Sequence, residues 1–339
     1  MTGRIAGLDL LRGIAIALVM LRHAWPTAFP GAGVVGVVMF FSLSGYLITG
    51  LLVGELERSG RVDLGRFYRR RARRLVPGLV ALVAGVVLVT LVLDPLGDRD
   101  RLGTTVAVAL TWTGNLPFGP LDGTSAATFH LWTLATEEQF YLLWPAVLAL
   151  TFARGRVGAA LLGVAALCLT ACCATLLWLA EAPDLAYVLP TSWAVCFVVG
   201  AAARLHQDRL PVPPAAAPVA LALLGLLAVV PLRGHALTYL VGGPLIATLT
   251  AVLLLRWRHL LEVRGRALHA LVWLGTVSYA AYLWNYPLTV WLRPHADPAW
   301  LAGPLAAVLT LAAAWASMRW VERPTAAGPR PRAGQELAW

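Results

Sequence analysis

The segment IAGLDLLRGIAIALVMLRHAW (residues 5–25) is apolar over a length that crosses a bilayer, since about 20 residues at roughly 1.5 Å each span the hydrocarbon. It nevertheless carries Asp9, Arg12, Arg22 and His23. At about 100° per residue, Arg12 and His23 fall on one helical stripe and stand about 16 Å apart along the axis. An Arg near the centre of an isolated span costs about 2.5–3.5 kcal/mol on insertion scales, so it faces a bundle interior, a partner or a polar ligand. An ion pair with Asp9 and an interfacial place for His23 account for the two residues structurally. A ligand shared along one helix face accounts for them functionally. Arg12 interrupts the apolar core that a secretory signal needs, and Ala24-Trp25-Pro26 is a poor cleavage site, so the segment reads as a retained helix.

Composition sets the class around this segment. Of 339 residues 59% are hydrophobic and 13% charged, with mean hydropathy +0.73, which excludes an ordinary soluble domain and gives a polytopic membrane protein. The net charge of +10 comes from Arg residues beside apolar runs, which points to topology and lipid rather than to nucleic acid. Cys168, Cys172, Cys173 and Cys196 sit inside apolar runs with neither metal-ligand nor disulfide spacing, so packing is expected of them and no metal site.

Ten apolar runs follow in order: residues 5–24, 34–53, 76–93, 131–152, 157–179, 189–205, 215–232, 237–255, 270–292 and 300–320. Residues 104–128 form a shorter apolar stretch that passes into Gly/Pro-rich sequence. If this stretch does not cross and the N-terminus is cytoplasmic, 21 Arg lie inside and 5 outside; if it crosses, 11 lie inside and 15 outside. The preference for positive charge on the cytoplasmic side selects the first arrangement. The expected fold is an all-α integral membrane bundle of about ten helices plus a short re-entrant or interfacial segment, with both termini cytoplasmic. Residues 1–323 read as one transmembrane domain, and residues 324–339, rich in Pro, Gly and Ala, as a disordered cytoplasmic tail.

Polar chemistry collects in a few places. Residues 54–76, GELERSGRVDLGRFYRRRARRLV, read as a cytoplasmic loop in which Arg69, Arg70, Arg71, Arg73 and Arg74 stand at the mouth of the third span. Guanidinium groups fork onto phosphate oxygens, which suits a phosphate-bearing ligand; the alternative is a topology signal resting on anionic lipids at about 1 kcal/mol per Arg. In HLWTLATEEQFYLLWP (residues 130–145), His130, Glu137 and Tyr141 share a stripe. Adjacent Glu137 and Glu138 in an apolar helix are costly unless paired, so a carboxylate here orients an imidazole, pairs with an Arg, or caps an interfacial helix end. Ser44-Gly45 lacks the strand-turn-helix setting of a nucleophile elbow and reads as close helix packing.

These pieces together resemble the membrane acyltransferase-3 family. The similarity rests on LDLLRGIAIALVMLRHA with ten residues between its Arg12 and His23, FFSLSGYLITG (40–50), FYRRRARRLVP (67–77), HLWTLATEEQFYLLWP, SYAAYLWNYPL (278–288) and WVERP (320–324), in family order. The resemblance implies transfer of a short acyl group, such as acetyl, from acyl-CoA to a hydroxyl of a carbohydrate, cell-envelope glycan or glycosylated metabolite. It implies no tightly bound cofactor; acyl-CoA is a substrate. It makes His23 the catalytic imidazole, acting as general base or itself acylated, gives Arg12, Arg71 and Arg74 a role with the donor, beside Arg70, and requires Glu137 or Glu138. Where the family often has His in this segment, the chain has Asn285 in LWNYP, which reads as a kink partner beside Pro287. A transporter or flippase using Arg, His and Glu as a relay is the competing class, and the inverted halves that would mark it are not evident.

Overall fold

The computed structural model describes residues 5–116 and 123–322. The expected tail from residue 324, the last two residues of WVERP, and residues 117–122 of the expected re-entrant stretch lie outside the described residues. Twelve α-helices occur among these residues: α1 (Ala6–Ala24), α2 (Ala32–Ser59), α3 (Leu64–Val92), α4 (Leu102–Thr111), α5 (Trp132–Phe152), α6 (Val157–Trp178), α7 (Ala194–Leu205), α8 (Ala216–Ala228), α9 (Gly243–Trp257), α10 (Arg266–Thr276), α11 (Ser278–Leu292) and α12 (Ala302–Ser317). No strand occurs among them.

Helix α2 runs without a charged residue until Glu55, and a helix apolar all round belongs inside. Its apolar window is 72% buried, against 17% for the equally apolar α6, so α2 is the central post and α6 lies at the periphery. Around α2 pack α1, α5, α7, α8 and α9; α11 pairs with α12 and leans on α1, and α10 lies along α1. Glycine makes the closest of these contacts. A Cβ on Gly45 would strike the Phe197 carbonyl oxygen, and one on Gly200 would strike that of Ser42, so α2 and α7 meet backbone to backbone. Gly13 and Gly275 do the same between α1 and α10.

Among the described residues, five helical stretches are long and apolar enough to cross a membrane: α2, α3, α6, Thr238–Trp257 and Ala302–Glu322. The other expected spans depart from that standard for identifiable reasons. Helix α1 has the length but contains Asp9, Arg12 and Arg22, and α5 is made more polar by Glu137, Glu138 and Gln139. Pro190 interrupts the sixth expected span with short 3-10 turns before α7 starts, and α8 has 13 residues. The ninth breaks at Val277 into α10 and α11. At 10 residues, α4 reaches about 15 Å, half the hydrocarbon thickness.

One expectation is corrected outright. Residues 64–76 are not loop: the Asp63 carboxylate accepts the Arg66 backbone N–H at 2.8 Å, caps α3, and the arginine cluster is helical and continuous with the span. The connection between α2 and α3 shortens to residues 60–63, opened by Gly60 at φ 70°.

Gly200→Leu should therefore lower the unfolding midpoint of the detergent-solubilised protein, overpacking costing about 1–3 kcal/mol. Gly163→Leu, where a Cβ meets open space, should leave it unchanged. Thermal-shift measurements on the two variants check this.

Candidate active site

Proline decides how α11 is held. Pro287 has no N–H, so the carbonyl of Leu283, four residues earlier, loses its helical partner. His130 supplies the replacement: its Nε2–H donates to Leu283 O at 3.1 Å. Pro145 in α5 frees the Tyr141 carbonyl in the same way; the Tyr68 hydroxyl of α3 lies 3.5 Å from that oxygen and donates to the neighbouring Leu142 O at 3.1 Å. Both proline sites thus draw a second element in; the His130 contact borders the cavity that holds His23, whereas the Tyr68 contact lies on the exposed side of α5.

Asn285, expected to serve the kink, has another task. Thr310 donates its hydroxyl proton to Ala306 O at 2.6 Å, so its oxygen is an acceptor and faces the Asn285 amide NH2 at 3.1 Å. That fixes the amide orientation, and Asn285 Oδ1 then lies 2.7 Å from His23 Nδ1. An amide oxygen only accepts, so Nδ1 carries the proton and donates, and Nε2 keeps its lone pair. The imidazole packs edge-on against Tyr286, centroids 5.0 Å apart, and Arg293 donates to the His23 carbonyl at 2.8 Å, holding the end of α1.

Three cavities run in succession through the bundle. The first, about 240 Å³, is lined by Arg70, Arg71, Arg73 and Arg74 with Phe67, Ile48 and Leu51. The second, about 110 Å³, shares Ile48, Arg71 and Arg74 with it and adds Arg12, Ser44, Glu137 and Tyr141. The third, about 190 Å³, contains His23, Arg22, His130 and Tyr286, and shares Val37, Thr133 and Tyr282 with the second. The shared residues form a septum: the Thr133 and Tyr282 hydroxyls contact each other, and both lie on the His130 carbonyl, at 3.1 and 2.7 Å.

The sequence-selected residues divide among these cavities. Arg12 lines the second, paired with Asp9 at 3.7 Å. Arg71 lies 3.8 Å from Glu138 and over the Tyr141 ring at 3.3 Å. Glu137 Oε2 is 3.0 Å from the Tyr141 hydroxyl, which is 2.7 Å from Ser44 Oγ. One phenolic proton serves one acceptor, so Ser44 closes that triangle. Neither Glu137 nor Glu138 meets the His23 ring; the carboxylates stand with the arginines, and the imidazole is oriented by Asn285. Gly45 is a packing residue as read, whereas Ser44 faces the cavity. Sequence reasoning did not select Thr133, Tyr282 or Tyr286, although the two tyrosines sit in the SYAAYLWNYPL stretch that carries the resemblance.

The family model described as an acyltransferase domain matches residues 5–319, nearly the whole chain. The chain belongs to the acyltransferase-3 family. It is 37% identical over 148 residues to the O-acetyltransferase OatA of Staphylococcus aureus, which covers 42% of this chain and 24% of that protein. It is 29% identical to the putative peptidoglycan O-acetyltransferase YrhL of Bacillus subtilis over 94% of this chain and 54% of the relative. It is 28% identical to the peptidoglycan O-acetyltransferase OatA of Listeria monocytogenes over 86% and 50%. The chain thus spans about half the length, or less, of these curated relatives. No solved structure matches it.

The two buried imidazoles should show opposite tautomers: Nδ1–H for His23, Nε2–H for His130. Solid-state 15N spectra of the histidine-labelled, reconstituted protein, with His23→Gln and His130→Gln for assignment, check this. Asn285→Leu should scramble the His23 tautomer and leave that of His130.

Proposed function

We propose that this protein is a membrane O-acyltransferase that takes a short acyl group from acyl-CoA and transfers it to a hydroxyl of a carbohydrate, either a cell-envelope glycan or a glycosylated metabolite. The observation that carries the reading is the succession of cavities sharing lining residues from Arg70, Arg71 and Arg74, past Arg12, to His23. The phosphates of CoA bind the guanidinium forks at the start of α3. The pantetheine arm extends into the second cavity past Arg12, an extended reach comparable to the roughly 16 Å between Arg12 and His23. Glu138 and Tyr141 hold Arg71 in place from two sides, and Glu137 fixes Tyr141 in turn.

For transfer, the septum of Thr133 and Tyr282 admits the thioester end to the third cavity. His23 Nε2 removes the proton from the acceptor hydroxyl as its oxygen attacks the thioester carbonyl. The negative charge that develops on the carbonyl oxygen collapses to break the C–S bond; an ester forms and CoA leaves as the thiol, the proton returning from the imidazole. Asn285 stabilises the imidazolium of that step by keeping Nδ1–H hydrogen-bonded. The identities of the relatives support an acetyl group and a glycan acceptor.

The proposed topology has ten crossings with both termini cytoplasmic, the arginine end of α3 inside and His23 near the outer face. A cytoplasmic donor then meets an outer acceptor without CoA crossing the bilayer. In a cysteine-free background, a cysteine at Gly97 should label from outside and one at Gly155 from the cytoplasm only; labelling of Gly155 from outside sinks the topology.

His23→Ala in purified, reconstituted protein should lower acyl transfer about 10²–10⁴-fold while CoA binding by calorimetry stays within twofold. Arg71→Gln/Arg74→Gln should weaken CoA binding about tenfold or more, since charge-assisted forks are lost. Mass spectrometry of glycans and metabolites from a deletion strain, compared with its parent, should show loss of acyl masses and so name the acceptor. Full activity in His23→Ala rejects the mechanism.

A further inference from the structure

The cavity that holds His23 contains charge the transfer chemistry leaves unused. Arg22, Arg233 and Arg293 all line it, and no Asp or Glu does. Arg22 makes no hydrogen bond or ion pair among the described residues, and it lies within electrostatic range of both other arginines. Its aliphatic stem rests on Gly33, where a Cβ would press against it, so the chain leaves room for this side chain. Arg233 is held over the Tyr187 ring at 4.7 Å and the Phe129 ring at 5.8 Å. Its carboxylate neighbour, Asp184, is 3.8 Å away with both side chains about half or more exposed, a screened contact that leaves the cavity positive.

Topology sharpens the point. In the proposed orientation five arginines lie on the outer side, where arginine is disfavoured, and three of those five line this one cavity. Three guanidiniums gathered at an apolar helix end repel one another and call for an anion. Planar forks match the oxygens of a carboxylate or phosphate, and the aromatic walls of Phe129, Tyr187 and Tyr286 offer flat apolar faces to the C–H side of a sugar ring.

We propose that this cavity is the acceptor site and that it selects a sugar bearing an anionic substituent, a carboxylate or phosphate, which seats between Arg22 and Arg233 while a nearby hydroxyl of the same sugar faces His23. The inference rests on the acyltransferase reading and names its acceptor class.

The test uses no acyl donor, so it fails or succeeds separately from the transfer mechanism. Purified full-length protein in phosphatidylcholine nanodiscs is titrated with glucuronic acid, glucose 6-phosphate, glucose and inorganic phosphate, followed by tryptophan fluorescence. At least one of the two anionic sugars should half-saturate at a concentration about tenfold or more below that for glucose and for inorganic phosphate. Arg22→Gln/Arg233→Gln should erase that preference while CoA binding, measured in parallel, is retained and reports an intact fold. If that variant does not fold, the wild-type comparison decides alone. Equal response to glucose and the anionic sugars, inorganic phosphate binding as well as either, or no response to either anionic sugar overturns the proposal. Loss of the preference when phosphatidylglycerol is included in the nanodisc identifies a lipid head-group site and overturns it as well.

Discussion

A polar group inside an apolar bundle has no water to fall back on, so it takes its partner from the chain or from a ligand. The hydrogen bond from His23 Nδ1 to Asn285 Oδ1 depends on this constraint most directly. Thr310 sets the Asn285 amide, the amide sets the imidazole tautomer, and the tautomer leaves Nε2 as the one nitrogen with a lone pair. The His23 imidazole is thereby oriented by three helices, α1, α11 and α12, none of which carries the arrangement alone.

The same constraint acts at the helix prolines. A proline in a helix frees a carbonyl, and the freed carbonyl recruits a donor from another element. Pro287 brings His130 onto α11, and Pro145 brings Tyr68 onto α5. The first contact fixes the septum between the second and third cavities, because the His130 backbone carbonyl receives the Tyr282 and Thr133 hydroxyls. The second ties the arginine-bearing turn of α3 to the helix that supplies Glu137 and Glu138. Kinks that weaken individual helices are thus converted into cross-links between them.

Much of the site was legible at the level of single helices. The stripe shared by Arg12 and His23 follows from 3.6-residue periodicity, and both residues line consecutive cavities along α1. The cluster Arg70, Arg71, Arg74 was visible as a run, and so was the closeness of Glu137 to Tyr141, four residues apart on one face. What periodicity cannot give is a partner on another helix. The carboxylates were open to pairing with an imidazole or an arginine, and the fold chose Arg71 for Glu138; Asn285 took the imidazole across 262 positions of sequence.

By itself the sequence determined the membrane class, the helical character, the residues that share a helix face and, through six ordered motifs, the family. These are local properties: hydropathy, period and spacing survive in any arrangement of the helices. Tertiary structure alone decided that the arginine cluster is helical and opens into a cavity, that a tyrosine and a threonine divide the path from it to His23, and that Arg22, Arg233 and Arg293 converge from three places in the chain. Those facts depend on which helix faces meet, and that is set by glycine contacts such as Gly45 with Phe197 and Gly13 with Leu271, where the absence of a side chain fixes the approach. No window of sequence short enough to read by period contains both sides of such a contact.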